Sequence, residues 1–152
     1  QINSVRPIQY LAELSQVDLD RVKDAITDET AHRRARHVVG EVQRTKDAVE
    51  ALKNGDIVKF GQLMNQSHVS LRDDYEVTGP QLDALAEAAW KIDGVLGSRM
   101  TGGGFGGCTV SLVREEAIPA FIEKVGAEYT EKTGLTADFY IAEIGDGAHR
   151  IS

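Results

Sequence analysis

From Asp28 to Ile92 the apolar residues recur at steps of three and four, and from Val95 the period shortens to two. Asp28 is placed to cap a helix whose apolar positions are Ala35, Val38, Val42, Val49 and Leu52, with Thr45 filling the gap. Asn54-Gly55 ends it, since both residues tolerate the left-handed backbone of a helix C-terminus. Asp56 then caps a second helix with Phe60, Leu63, Met64 and Ser67 on one face. Thr78-Gly79-Pro80-Gln81 predicts a third start, with Thr78 as cap, Pro80 in the first turn and Gln81 completing a capping box. Its stripe is Leu82, Leu85, Ala86, Ala89 and Ile92, and Gly94 stops it.

The strand-period segments are Val95 to Met100 and Cys108 to Val113. A helix follows with Ile118, Phe121, Ile122, Val125 and Tyr129 on one face, ended by Gly134, and the residues 139–144 read as a last strand. The order from residue 80 is α-β-β-α-β, most of a split βαβ unit. The chain therefore reads as one α+β domain over residues 1–152, a ferredoxin-like antiparallel sheet with additional helices. A further strand is expected from residues 1–8 or from polypeptide outside this chain.

Composition narrows the class. A chain of 152 residues buries a core without disulfides or metal, and 41% hydrophobic with 27% charged residues is ordinary for a globular domain. The net charge of −7 argues against a nucleic-acid surface, where Lys and Arg dominate. No apolar run approaches membrane-spanning length, and Gln1-Ile2-Asn3-Ser4 has neither a basic leader nor an apolar secretion core. A lone cysteine, Cys108, suits a reducing cytoplasm, and its place at a strand start predicts a buried, inert thiol. A start at Gln1 fits a trimmed leader or tag, and equally a fragment of a longer protein.

Chemistry concentrates in residues 102–107, where only Phe105 interrupts the glycines. Such a run costs folding free energy, and it suits a backbone that takes positive φ or is approached closely by a ligand. Gly102, Gly104 and Gly107 formally satisfy G-x-G-x-x-G, but that fingerprint needs a helix to follow, and here a strand does. No Gly-Lys-Ser/Thr closes the loop as a Walker A sequence requires. Two readings stay open on spacing alone: a ligand-free hairpin, and an anion-binding concavity of successive N–H groups.

The letters around the loop add to this. Arg99-Met100-Thr101-Gly102-Gly103-Gly104-Phe105-Gly106-Gly107-Cys108 closely resembles the third conserved motif of the galactokinases, in the GHMP family of small-molecule kinases. Residues 33–45 are similar to that family's long helix and residues 67–80 to its helix-to-helix connection. Asp146-Gly147-Ala148-His149-Arg150 resembles its terminus, so the likeness runs from about residue 20 to the end.

The resemblance implies a C-terminal part of an enzyme that phosphorylates O1 of α-D-galactose with MgATP. It implies a partner, an N-terminal domain of the same protein, that carries the sugar-recognition stretch, a second phosphate loop, the catalytic Asp and an assisting Arg. None of those motifs is present here, so no catalytic residue is assigned, and the isolated chain is expected to be inactive and to bind no nucleotide. Thr101, Gly102, Gly103, Gly104, Phe105, Gly106 and Gly107 become the phosphate-side loop, by direct contact or by supporting the partner loop. Phe105 is expected to plug the loop against the core, and Thr101 to add a hydroxyl or serve the turn. Arg72, Asp73 and Tyr75 either face the cleft or hold a helix end. A bared seam predicts self-association. The competing classes are a non-catalytic ligand-binding or oligomerisation module and a galactokinase-like regulatory protein.

The remaining polar clusters read more plainly. His68 lacks a recognisable partner for catalysis. Arg33, Arg34 and Arg36, with His32 and His37, read as an ion-paired helix face served by Asp28, Glu29 and Glu41, or as the seam itself. Adjacent carboxylates such as Asp73-Asp74 and Glu115-Glu116 diverge on a helix, so no metal site is assigned.

Overall fold

The computed structural model describes residues 1–143, 145, 147 and 150. The first segment makes two 3-10 turns, Ile2–Ser4 and Leu11–Glu13, and helix α1 (Gln16–Val22). Ser15 caps α1 by accepting from the Asp18 N–H, and Asp18 returns a bond to the Ser15 N–H. Ile2, Leu14, Leu19 and Val22 pack on Ala35 and Val39 of α2 (Glu29–Lys53). Residues 1–8 therefore supply no strand.

Asp28 caps α2 as expected, accepting from Ala31 at 2.7 Å, and Gly55 ends it at φ +70°. The buried line of α2 is Ala35, His37, Val39 and Ala51, whereas Val49 and Leu52 of the expected stripe are exposed. Nothing in the described residues covers that side of the helix. Asp56 caps α3 (Ile57–Ser70) through Lys59. The helix widens into a π turn over Leu71–Tyr75 and stops at Glu76, which is left-handed at φ 58°.

Helix α4 (Pro80–Trp90) starts one residue later than the capping box requires. Gly79, at φ +80°, is its cap and no side chain bonds there, while Thr78 is buried. The reversal at Gly79 turns the Thr78 side chain inward, so the expected Thr78–Gln81 box does not form.

Strands β1 (Val95–Thr101) and β2 (Cys108–Val113) pair antiparallel, Ser98 opposite Ser111 and Thr101 opposite Cys108, with a bulge between Val95 and Gly97. Helix α3 lies so close on β1 that a Cβ at Gly61 would overlap the Leu96 carbonyl, and one at Gly97 would stand 2.7 Å from the Gly61 Cα. Helix α5 (Ile118–Thr133) ends at Gly134, φ 72°, and packs Val125 against Ala88 and Ala89 of α4. No helix among the described residues is long and apolar enough to cross a membrane.

The architecture is α+β, but the strand expected over residues 139–144 does not form among residues 139–143. Phe139 meets Phe121 edge-on at 5.9 Å, while Tyr140 and Ile141 point to solvent. Alternation makes a strand only beside an edge that accepts it, and this segment bonds to none. Ile144, with Asp146, Ala148 and His149 of the terminal stretch, lies outside the described residues.

Candidate functional site

The loop that joins β1 to β2 is held at one point. The Phe105 N–H donates to the Val77 carbonyl at 2.8 Å, and Gly104, at φ +84°, lies so close that any Cβ would overlap that same oxygen. Phe105 itself is left-handed at φ 57°, which costs a non-glycine residue on the order of 1 kcal/mol. Its side chain is 80% exposed and so does not plug the core. With its N–H tied to Val77 and its φ positive, the ring points away from the fold. Cys108 also differs from expectation: it is exposed, because it opens a strand whose outer side faces a groove instead of protein.

The other loop glycines are not crowded. Among the described residues, a Cβ at Gly102, Gly103 or Gly106 would meet nothing within 4 Å, and at Gly107 only the Gly104 carbonyl at 3.7 Å. Gly103 and Gly107 also lack positive φ. Among the described residues, neither close packing nor a positive φ accounts for glycine at those two positions.

Behind the loop, α3 fixes β1. Asn65 accepts from the Ser98 N–H at 2.8 Å, and His68 Nδ1 accepts from the Met100 N–H at 3.0 Å. His68 therefore carries its proton on Nε2, which donates to Asp83 at 3.1 Å. The ring is 0% exposed and lies edge-on to Trp90. Sequence reasoning gave His68 no part; it positions the strand that enters the loop. No spacing signal could have shown this, since its partners are 15 and 32 residues away.

The Arg72, Asp73 and Tyr75 group lies on the π turn. Arg72 pairs with Asp73 at 2.8 Å and with Glu87 at 3.0 Å, so both charges serve the helix end. Tyr75 stacks on His37 at 4.6 Å, with the Arg34 guanidinium over its ring. His37 Nδ1 lies 3.0 Å from Ser70 Oγ, whose proton goes to Asp74 at 2.9 Å. The basic cluster pairs across the turn, Arg33 and Arg34 with Glu76 and Arg36 with Asp74, and not with Asp28 or Glu29. Glu41 instead takes Arg44 and Ser67. Tyr75 thus stands two residues before Val77, the loop's anchor, and one stretch of backbone joins the two candidate groups.

Burial is the main force on both histidines and depresses their pKa below the ordinary 6.5, against the opposing pull of Asp83 on His68 and of Glu41 on His37. Arg72 also lowers His68 and Glu87 raises it. A depressed folded-state pKa means that the unfolded chain takes up the proton first. Stability from these groups is complete above 6.5 and declines as pH falls below it. Glu41, whose folded carboxyl is also held low, begins to matter only near its ordinary 4.5. The urea midpoint is therefore expected to drop between about pH 7.5 and about pH 5.5, and His68→Gln to reduce that drop. An unchanged midpoint over this range contradicts the buried neutral histidines.

The loop leaves open space around Gly102, Gly103 and Gly106 among the described residues, and the charges of the neighbouring π turn are paired, Arg72 with Asp73 and Glu87, Arg36 with Asp74, Arg33 and Arg34 with Glu76.

The family model described as GHMP kinases C terminal matches residues 48–131. A galactokinase of Fusobacterium nucleatum subsp. nucleatum is 59% identical over 144 residues, covering 95% of this chain and 37% of that relative. One of Clostridium acetobutylicum is 53% identical over 152 residues, covering 100% of this chain and 39% of the relative. The solved structure of Lactococcus lactis galactokinase complexed with galactose superimposes with a TM-score of 0.89 at 53% identity, covering 95% of this chain and 37% of that one. The chain spans under two fifths of the length of these relatives.

Proposed function

This chain belongs to the GHMP kinase family, as its C-terminal part, and from there we propose that it forms one wall of the active cleft of a galactokinase. The reaction is transfer of the γ-phosphoryl group of MgATP to the anomeric hydroxyl of α-D-galactose in the cytoplasm. The catalytic base and the sugar-binding groups belong to an N-terminal domain outside these residues.

The observation that carries this reading is Gly103. It lacks positive φ and, among the described residues, has nothing within 4 Å of its missing Cβ, so the space it leaves is free for a group that is not part of this chain. Gly107 repeats the argument, and the exposed Phe105 ring adds an apolar contact for an incoming domain. Phosphoryl transfer depends on positioning and on stabilising the charge on the transferred group. The loop's part is to hold N–H groups at the triphosphate, or at the partner loop that wraps it, without side chains in the way. One wall of a cleft leaves the metal-bound triphosphate in water, so the isolated chain turns over no substrate.

The test is a chimera: the F. nucleatum galactokinase with its matched 144 residues replaced by this chain. The chimera is expected to release ADP in a galactose-dependent way, and this chain alone to release none. A folded chimera that neither binds MgATP nor phosphorylates galactose contradicts the reading.

A further inference from the structure

Among the described residues only two that are not glycine have positive φ, Glu76 at 58° and Phe105 at 57°. They stand at the two ends of one hydrogen bond, in which the Phe105 N–H donates to the carbonyl of Val77, the residue after Glu76, at 2.8 Å. A left-handed backbone is costly for a residue with a Cβ, and it persists only where the surroundings hold it. Phe105 is held by that bond. Glu76 needs a holder of its own.

That holder is Arg34 of α2. The end of a helix leaves carbonyls without a helical partner. Here the Glu76 and Val77 N–H groups both return to the Leu71 carbonyl, and the Arg34 guanidinium donates to the Asp74 carbonyl. The same guanidinium donates to the Glu76 carboxylate at 2.6 Å and lies over the Tyr75 ring at 5.7 Å. One planar cation thus meets a carbonyl, a ring and a carboxylate on three successive residues, a geometry suited to the arginine fork. Arg33 bonds the turn only at that carboxylate, at 3.1 Å, and Arg36 only at the Asp74 side chain. The bond from Arg34 is the strongest of the pulls that keep the Glu76 carboxyl below its ordinary pKa, ahead of the bond from Arg33.

We propose that Arg34 is a positioning residue for the glycine loop. It fixes the left-handed Glu76 and so aims the Val77 carbonyl at the Phe105 N–H, the bond that ties the loop to the helices. Glycines have no side chains with which to hold a place, so the loop's position is set from outside it, through main chain alone. The path runs from α2 through Glu76 and Val77 to Phe105. Its bearing on turnover rests on the reading of the loop as the phosphate side of a kinase cleft; its bearing on where the loop lies does not. If Arg34 served only the helix end, its loss would lower stability and leave the Phe105 bond as it is.

Amide hydrogen exchange in this chain tests the proposal, and turnover by the chimera tests its consequence. Arg34→Gln is expected to speed exchange of the Phe105 amide about 10-fold or more by local opening, while the buried Met100 amide, bonded to His68, is unchanged and reports the fold. Arg36→Gln removes an ion pair of the same turn and is expected to leave the Phe105 amide at the parent rate. A parent rate in Arg34→Gln overturns the proposal whatever happens to the melting temperature, and so does equal acceleration by Arg36→Gln. If Arg34→Gln also frees the Met100 amide, the fold is lost, and Glu76→Ala, which removes the carboxylate at an exposed position and keeps the Cβ, decides by the same rates. In an active chimera Arg34→Gln is expected to lower kcat/KM for MgATP about 10-fold, with KM for galactose within about two-fold. A fast Phe105 amide with kcat/KM unchanged overturns the role in turnover and leaves the kinase reading standing. A folded chimera without substitution that neither binds MgATP nor phosphorylates galactose contradicts the kinase reading, and exchange alone then decides for or against Arg34.

Discussion

Gly103→Val in the assembled kinase is expected to lower kcat/KM for sugar phosphorylation by about 100-fold or more, while the melting temperature of this chain stays within about 2 °C. The first figure is the usual consequence of displacing a positioned phosphate or losing a preorganised N–H donor. The second follows because the new side chain meets open space at an unstrained backbone position, where surface substitutions change stability little. Gly104→Val is the control. It forces a branched side chain onto the Val77 carbonyl at φ +84°, so it lowers stability and activity together. If Gly103→Val and Gly104→Val behave alike, the loop is a structural hairpin.

The second large effect lies away from the cleft. Gly97→Val places a branched side chain against the Gly61 backbone, where α3 crosses β1. The obstruction is main chain on both sides, so no rotamer relieves it. Helix and strand must separate, and the bonds from Asn65 and His68 into β1 lengthen with them. A cost of about 3–4 kcal/mol is expected, a drop of roughly 10 °C in the melting temperature for a chain of this size. Thermal unfolding followed by circular dichroism reads this directly, and a drop under about 3 °C contradicts the close backbone crossing.

The local signals in the sequence identified much of the fold. Asp28 and Asp56 cap their helices and Gly134 ends the last one, because a cap depends only on its own turn. Cys108 to Val113 is a strand as its period indicates. What failed depends on distant partners. Residues 139–143 have a strand's alternation and no edge that accepts them. Phe105 looked like a plug because it is apolar, but the bond from its N–H to Val77 turns it outward. The Thr78 cap is the exception, lost for a local reason, the backbone reversal at the adjacent Gly79.

The candidate site was legible in outline only. The loop boundaries follow from the sequence, but the glycines look equivalent there, and the nearness of the Tyr75 turn shows only through the Phe105–Val77 bond. Only packing separates Gly104, which this chain's own fold requires, from Gly103, which it does not. His68 could not be identified without the structure, since its importance lies in the Met100 N–H it accepts and the Asp83 it donates to.

The backbone amide resonances of residues 102–107, followed in the folded chimera during titration with a non-hydrolysable MgATP analogue, test the central claim most directly. Saturable shifts at Gly103, Gly106 and Gly107, with the Val77-anchored Phe105 amide moving least, are the expected result. Nucleotide binding by an active chimera with all of these resonances unmoved would contradict it.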